Sequence, residues 1–367
     1  MINPQNIPLT LYIHYPWCEK KCPYCDFNSH ITTIDNDYID VLILDLKNSL
    51  KYIQGRKIAA IFIGGGTPSL MSIQDIAKLF EALNKYLTFE DDIEITIESN
   101  PSSAEVGKFK FYKSIGINRI SIGIQSFDDK NLKFLGRIHN AKQAQNALTI
   151  ASETFANFNL DIIFGLQSQS LKNSQNDLKI ALSFNPSHIS FYQLTIEPNT
   201  YFSKFPPILP SDERLYQMME SGIELLENND YKRYEVSAYG LPSKHNLNYW
   251  KFGDYIGIGS GAHGKITTTN GIIRTTKLKS PKDYIFDNSA KITQIKSLDF
   301  DFMLNALRLK NGFDKNLFTQ RTGQDLTTIK QQLTKAKNLE LITINNKITP
   351  TTLGFNHLNS LQELFLP

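Results

Sequence analysis

The chain has very little cysteine: three residues among 367, at positions 18, 22 and 25. An odd number of cysteines gathered in one short segment excludes the disulfide framework of a small secreted protein. A strong excess of either charge is also missing, since 39 Lys and Arg stand against 36 Asp and Glu, for a net charge of +3. So small an excess argues against nucleic acid or an anionic membrane as the main partner.

Long apolar runs are the third absence. No window of the sequence reaches the roughly 18 uninterrupted apolar residues that a membrane-spanning helix requires. The opening stretch, MINPQNIPLTLYIHYPWC, has no basic segment followed by an apolar one, so it does not resemble a signal peptide. We therefore expect a cytoplasmic protein, with any membrane contact limited to transient docking on a membrane-bound partner.

The sequence is rich instead in apolar, β-favouring segments that alternate with amphipathic ones. The predicted strands lie at residues 9–15, 58–66, 93–99, 119–126, 159–166 and 188–195. The predicted helices lie at residues 35–53, 72–87, 170–183 and 211–228, and the first begins at Asp35, which suits a capped N-terminus. Strands that are almost continuously apolar indicate parallel strands covered by helices. We therefore expect an α/β fold, either a barrel or a doubly wound sheet.

The strand–helix alternation stops after about residue 205. Residues 266–297 are rich in Thr and Lys and are predicted to form a connecting loop. From residue 298 the pattern predicts a smaller, mainly helical and winged-helix-like domain that includes a hairpin with two Asn at its turn. We therefore divide the chain into residues 1–265, 266–297 and 298–367. A winged shape is compatible with DNA binding, but the basic residues there alternate with acidic ones, so we expect no nucleic-acid partner.

The three cysteines follow the spacing C-x3-C-x2-C within a loop at residues 16–30. The short spacing lets all three thiols reach one object, and soft thiolates favour zinc or an iron–sulfur cluster. A structural zinc site takes four protein ligands, so either His14 or His30 would have to complete it. Three buried cysteines without a ligand are a further interpretation, but independent core cysteines would be scattered along the chain.

Polar residues gather where the predicted strands end, which is where βα folds place their functional sites. The segment GGGTP at 64–68 lets the backbone approach a ligand closely, although a tight turn is the alternative interpretation. Glu98 ends the third strand, either as a ligand contact or as a solvated charge. Asp161 lies inside an apolar strand, so it needs a partner, either a ligand or a protein hydrogen bond.

These motifs together resemble a known family. They are YIHYPWC, CPYCDF, GGGTPS, ESNP, GIQSF, LGRIHN, LDIIFGLQ and YQLTIEP, in this order. The series resembles the branch of the radical S-adenosylmethionine superfamily that contains the oxygen-independent coproporphyrinogen III oxidases and the HemW-type heme chaperones. The resemblance runs from about residue 9 to about residue 265 and implies a partial (β/α)6 TIM-like barrel.

The resemblance also implies cofactors and the residues that hold them. The implied ligands of a [4Fe–4S] cluster, which keeps one iron open for S-adenosylmethionine, are Cys18, Cys22 and Cys25. The residues implied to surround that S-adenosylmethionine are Tyr12, Gly65, Gly66, Glu98 and, in a nearby loop, His263. The residues that match positions holding a second S-adenosylmethionine in the oxidases are Tyr24, Thr67, Gln125, Arg137 and Asp161.

The resemblance leaves two functions of different classes. In the oxidases a radical abstracts hydrogen from a porphyrinogen propionate and carbon dioxide is lost, whereas the chaperones bind heme and hand it to an acceptor. The oxidase pattern has a further cysteine two positions after the third, where this chain has Phe27. The segment HNLNYW at 245–250 matches the HNxxYW motif of the chaperones.

We therefore predict a heme chaperone without classical turnover, with His245 as the candidate ligand of the heme iron. A neutral imidazole is a natural axial ligand of heme, although a packed loop histidine is the alternative interpretation. The alternative functions are a coproporphyrinogen III oxidase and a superfamily enzyme with another substrate. The sequence does not identify the heme acceptor, for which a membrane-bound respiratory protein is one candidate, and it leaves open a homodimer.

Overall fold

The computed structural model describes residues 2–31, 37–102 and 106–367. The predicted helix start at Asp35 lies outside these ranges. The six predicted strands are confirmed, with small shifts at their ends. They are β1 (Leu9–Tyr15), β2 (Ile58–Gly65), β3 (Phe89–Ser99), β4 (Arg119–Gln125), β5 (Asn157–Phe164) and β6 (His188–Gln193). Each pairs in parallel with the next, which gives the expected α/β sheet.

Two more strands border these six, and neither was predicted. Strand β7 (Ala238–Gly240) pairs antiparallel with β6, and β8 (Asp254–Ile258) pairs in parallel with β1. The parallel part of the sheet therefore has seven strands, in the order β8-β1-β2-β3-β4-β5-β6. The sheet is open rather than closed, because β7 and the strand Lys291–Gln294 stand at its two ends in the part of the chain that the structure describes.

Helices cover the outer face of this sheet, except that the helix Lys244–Trp250 packs on the inner face, against Tyr12 and Phe62. In chain order they are α1 (Tyr38–Ser49), α2 (Ile73–Tyr86), α3 (Phe109–Ser114), α4 (Asp129–Phe134), α5 (Ala141–Thr154), α6 (Leu171–Ser183), α7 (Tyr201–Lys204), α8 (Asp212–Glu227) and α9 (Lys244–Trp250). Their N-termini follow the capping rules: Ser72 accepts from the amide of Asp75, and Asn140 forms a capping box with Gln143. Their apolar faces and the outward-facing strand residues form the main core.

Residues 266–297 are not the connecting loop that their composition predicts. They continue β9 (His263–Thr268) and add β10 (Gly271–Thr276), α10 (Pro281–Phe286) and β11 (Lys291–Gln294). The three strands join the sheet by antiparallel pairing. The Thr and Lys content was misread, because threonine is β-branched and suits a strand. Thr267 and Lys265 are buried here, where both hydrogen-bond to Asp254.

The C-terminal region forms a separate three-stranded sheet with helices. Its elements are α11 (Leu298–Ala306), β12 (Phe313–Asp314), α12 (Lys315–Thr322), α13 (Lys330–Asn338), β13 (Ile342–Ile344), β14 (Lys347–Pro350), α14 (Thr352–Asn356) and α15 (Leu358–Glu363). The predicted hairpin with Asn at its turn is present as β13 and β14. The rings of Phe302, Phe313 and Phe318 meet edge to face at the centre of its core.

The inner face of the main sheet is polar, which the nearly continuous apolar runs did not reveal. Successive side chains of a strand point to opposite faces, so apolar residues of β4 face the helices while Arg119, Ser121, Gly123 and Gln125 face inward and line a cavity. Among the described residues, no helix is long and apolar enough to cross a lipid bilayer.

Candidate functional site

A cavity of about 500 Å³ lies against the inner face of the sheet. Its wall brings together most of the residues singled out in the sequence. These are Cys18, Cys22, Tyr24, Cys25, Gly65, Gly66, Thr67, Glu98, Gln125, Arg137 and Asp161. Since β1 to β6 are parallel, the loops that follow them meet at one edge, and this is why distant motifs converge there. Tyr12, His245 and His263 are not part of the wall.

The cysteine loop is held in place by its own backbone. The amide of Cys18 donates to the carbonyl of His30 over 3.0 Å, and the amide of Cys25 donates to the carbonyl of Cys22 over 3.1 Å. All three thiols are free and half-buried. Burial raises the pKa of the Cys18 and Cys25 thiols, so a bound metal would have to favour their thiolate forms.

Each sulfur has a polar neighbour. Thr67 donates its hydroxyl to Cys18 Sγ over 3.4 Å, and the Arg137 guanidinium donates to Cys22 Sγ over 3.7 Å. Ser29 Oγ lies 3.9 Å from Cys25 Sγ. Donors of this kind stabilise negative charge on sulfur and orient metal ligands.

Asn100 connects two of these donors and was missed by the sequence analysis. Its side-chain oxygen accepts from Arg137 over 2.6 Å, and its amide group donates to Thr67 Oγ1 over 3.1 Å. Arg137 also donates to the carbonyl of Gly123 over 2.8 Å. Thr67 and Arg137, which the resemblance assigned to a second S-adenosylmethionine, therefore also support the cysteines. The position of Asn100 in the strand-end motif ESNP was the available signal.

The donor set fits an iron–sulfur cluster better than zinc. Among the residues that the structure describes, no three His, Cys, Asp or Glu side chains come close enough to hold a single metal ion. Both ring nitrogens of His14 are engaged, Nδ1 with Tyr12 Oη at 2.9 Å and Nε2 with the carbonyl of Asn28 at 2.8 Å. Three free thiols around an open cavity match a polynuclear cluster with one position left for a small molecule.

The glycine turn after β2 has no room for side chains. Gly65 has a φ of +115°, and a Cβ there would lie 2.5 Å from Cε1 of His14. A Cβ on Gly66 would lie 2.5 Å from the carbonyl oxygen of Trp17. The amide of Gly65 donates to Glu98 Oε2 over 3.1 Å, and the amide of Gly66 donates to the carbonyl of Tyr15 over 2.7 Å. These two N–H groups are therefore already used within the protein.

Glu98 and Asp161 are two of the carboxyl groups that line the cavity. Burial, and then repulsion from Asp161, raise the pKa of Glu98 to about 8. Glu98 is therefore mostly protonated at neutral pH and can donate a hydrogen bond. Asp161 accepts from the Asn159 side chain over 2.8 Å, and burial raises its pKa as well. The sequence offered either a ligand or a protein hydrogen bond as the partner of Asp161. Asp161 is placed for both, since it faces the cavity and accepts a hydrogen bond from Asn159.

We expect Glu98→Gln to make stability less dependent on pH. The folded state keeps the Glu98 proton up to a pKa of about 8, whereas the unfolded chain releases it near the ordinary value of 4.5. Stability of the unsubstituted protein therefore falls as pH rises from 4.5 to 8. Chemical denaturation should show the variant equal to the unsubstituted protein at pH 5 and more stable at pH 9. Parallel pH profiles of the two proteins would contradict the raised pKa.

Gln125 and Tyr24 both line the cavity. Gln125 ends β4 with a left-handed φ of +71°, and its side-chain oxygen accepts from Tyr192 Oη over 3.0 Å. Tyr24 packs against a small apolar cluster around Leu135 and Phe202. Both side chains are fixed by the protein, which is what a preorganised ligand site requires.

Three predicted residues lie outside the wall. Tyr12 and Phe62 pack against His245, with ring centroids 6.2 and 5.4 Å from the imidazole. His245 is buried on α9, and its Nδ1 has no hydrogen-bond partner among the described residues. Burial lowers its pKa to about 4, so the ring is neutral. His263 is exposed at the start of β9, where its Nδ1 lies 3.3 Å from Thr276 Oγ1.

Some cavity residues were missed because nothing local marks them. Arg119 opens a strand in which polar residues or glycine alternate with isoleucine, and that alternation was the available sequence signal. Arg308 comes from the C-terminal region, nearly two hundred positions further along, yet it lines the same cavity. Glu235 and Trp250 complete this part of the wall.

Two family models match the chain. The Radical SAM superfamily matches residues 12–178, and the HemN C-terminal domain matches residues 299–355. Among solved structures, the coproporphyrinogen III oxidase HemN from Escherichia coli superposes with a TM-score of 0.83 at 21% identity, over 99% of this chain and 91% of that one. This likeness shows a shared fold.

Curated relatives match over nearly the full length. The protein named heme chaperone HemW from Haemophilus influenzae is 47% identical over 99% of both chains. That from Escherichia coli is 45% identical over 98% of both. That from Bacillus subtilis is 34% identical over 86% of this chain and 87% of its own. With identities this high over this length, the chain belongs to the HemW family of the radical SAM superfamily.

Proposed function

We propose that the protein is a heme chaperone, which binds heme and delivers it to an acceptor protein. The observation that carries the proposal is the identity of 45–47%, over almost the whole chain, to relatives named heme chaperones. The HNLNYW segment supports it, because it forms α9 beside the cavity and contributes Asn246 and Trp250 to the wall.

Phe27 supports a carrier over an oxidase. It lies on the cavity wall with 59% of its surface exposed, at the position where the oxidase pattern has another cysteine. The chain has no cysteine beyond the three in the loop. The sulfur that the oxidase pattern requires at this place is therefore missing.

We propose further that Cys18, Cys22 and Cys25 hold a [4Fe–4S] cluster with S-adenosylmethionine at the open iron. When bound, the cluster would supply an open Lewis-acidic iron and one-electron chemistry. Thr67 and Arg137 donate hydrogen bonds to the cysteine sulfurs. Protonated Glu98 can donate a hydrogen bond to an acceptor atom of the bound ligand.

His245 is the proposed ligand of the heme iron. Its neutral ring and unpartnered Nδ1 suit an axial ligand, and no protein bond to that nitrogen has to be broken first. The ring lies behind Phe62, which does line the cavity. Iron coordination therefore requires Phe62 or α9 to move aside when heme binds.

We expect His245→Ala to weaken heme binding about tenfold or more, since losing an axial bond worth at least ~1.4 kcal/mol has that effect. Heme titration followed by the Soret band should show both the lower affinity and an altered spectrum. His263→Ala is the matched control, because His263 is exposed and off the cavity wall. An unchanged spectrum and affinity in His245→Ala would refute this ligand.

Conversion of coproporphyrinogen III by the anaerobic protein would contradict the chaperone proposal itself.

A further inference from the structure

The cavity has a floor whose charged groups none of the roles above uses. We define the floor as Arg119, Glu235, Trp250 and Arg308, all of which line the cavity. Arg119 is the first residue of β4 and Gln125 is the last. Six residues of strand place their backbones roughly 20 Å apart. The floor therefore begins at the opposite end of the strands from the cysteine loop.

The C-terminal region is anchored so that it completes this floor. The amide of Lys310 donates to the carbonyl of Tyr234 over 3.0 Å, and Glu235 and Leu309 form a β-bridge. Arg308 immediately precedes these contacts, and its guanidinium lies 4.3 Å from the Trp250 ring, with one nitrogen 3.5 Å from Glu235 Oε2. The backbone pairing that follows Arg308 thus helps to hold it at the cavity.

The floor has hydrogen-bond donors without acceptors. Within the part of the chain that the structure describes, three buried N–H groups of the floor have no hydrogen-bond partner: Arg119 Nε, Trp250 Nε1 and Arg308 Nε. One buried acceptor, Glu235 Oε2, is also without a hydrogen bond. Because buried polar groups are normally satisfied, this excess of donors points to a ligand that supplies acceptors.

Arg119 carries the strongest part of this argument. It is 2% exposed, and no carboxylate of the described residues lies within 4.0 Å of its guanidinium, whose one protein hydrogen bond in that set goes to Thr96 Oγ1 at 3.5 Å. Its neighbours His188 and Glu98 do not pair with it, since His188 is neutral with both nitrogens engaged and Glu98 is mostly protonated. Asp161 interacts with Arg119 only at longer range and accepts its hydrogen bond from Asn159. Burying a cation without a direct ion-pair partner is unfavourable, so an anion beside Arg119 would be stabilising.

We propose that this floor is a carboxylate-binding subsite. Arg119 and Arg308 supply the positive charge, and Trp250 Nε1 supplies a neutral donor. A guanidinium matches a carboxylate in both charge and planar geometry. Under the proposed function, on which this assignment of the ligand rests, the carboxylate is a propionate side chain of heme. The carboxylate of S-adenosylmethionine has the same chemistry and is the second source to be tested.

The first experiment needs no heme. The chain has two tryptophans, so Trp250→Phe assigns the indole N–H signals in a ¹H–¹⁵N spectrum of the full-length protein. Sodium propionate should shift the Trp250 signal saturably, whereas propionamide, its uncharged counterpart, should not. Equal shifts with both compounds, or none with either, would overturn the subsite.

Two variants with opposite expected effects on propionate affinity distinguish a change at the subsite from a general folding defect. Arg308→Gln should weaken propionate binding about tenfold. Glu235→Gln should strengthen it several-fold, because it frees Arg308 from a competing carboxylate. A folding defect would lower the affinity in both variants, so a loss in both overturns the proposal.

The second experiment separates the two carboxylate sources. Arg308→Gln should weaken heme binding about tenfold but leave heme dimethyl ester and S-adenosylmethionine binding unchanged. Weaker S-adenosylmethionine binding with unchanged heme binding would support the subsite and overturn the propionate assignment. If the unsubstituted protein binds no heme while propionate still shifts Trp250, the chaperone proposal fails and the carboxylate subsite stands.

Discussion

Serine in place of Cys22 is expected to abolish the iron–sulfur absorbance of the anaerobically reconstituted protein. Cys22 is the middle of the three thiols, and its loss would leave two protein ligands for a cluster that already has one open iron. A serine hydroxyl is a hard, protonated ligand that does not replace a thiolate on iron. Iron analysis should fall from roughly four irons per chain, the content of a [4Fe–4S] cluster, to almost none.

Ser29→Ala is the matched control for this substitution. Ser29 Oγ lies 3.9 Å from Cys25 Sγ, so the control removes a weak contact to the cluster loop without removing a ligand. It should keep its iron and its absorbance. Both variants should unfold at the temperature of the unsubstituted protein before reconstitution, since the Cys22 side chain belongs to neither apolar core. Full iron content in Cys22→Ser would refute the ligand set.

The convergence of the cavity residues follows from the parallel sheet, and this is why sequence could predict it. Gly65, Glu98, Gln125 and Asp161 lie on four successive strands, and parallel strands place corresponding positions side by side. The order and direction of the strands are therefore enough to place these four residues on the same part of the cavity wall. The same reasoning cannot assign a partner to a side chain, which is why the link of Asn100 to Thr67 and Arg137 was missed.

The parts that sequence did not predict depend on long-range contacts. Arg308 reaches the cavity only because the backbone beyond it pairs with residues 234–235, and no local pattern encodes that docking. Residues 266–297 were misread because threonine and lysine are common in exposed loops, although here Lys265 and Thr267 share the buried Asp254. His245 was expected near a ligand, yet its position behind Phe62 depends on how α9 packs against β1 and β2.

Asp254 links strand β8 to β9 and to the segment that precedes β2. Asp254 opens β8 and is fully buried, with Arg56 Nη1 2.8 Å from Oδ2 and Lys265 Nζ 2.9 Å from Oδ1. Thr267 adds its amide and its hydroxyl, each at 2.8 Å. Burial raises the pKa of Asp254, but Lys265 and Arg56 outweigh it and hold the pKa below its ordinary value. The carboxylate is therefore charged at neutral pH, with every lone pair directed at a donor.

We expect Asp254→Ala to lower the free energy of unfolding by about 3–5 kcal/mol, because it leaves two buried cations without their anion. Urea denaturation at pH 7 measures this loss. Asp91→Ala is the matched control: Asp91 pairs with Lys57 at 3.5 Å but is fully exposed, so its removal should leave the free energy of unfolding nearly unchanged. Equal stabilities of the two variants would contradict the role of the network.

Asp254→Asn separates charge from packing, because it keeps the side-chain size and one oxygen acceptor. An asparagine variant as unstable as the alanine variant would assign the loss to charge, and an intermediate one would assign part of it to the cavity that alanine leaves.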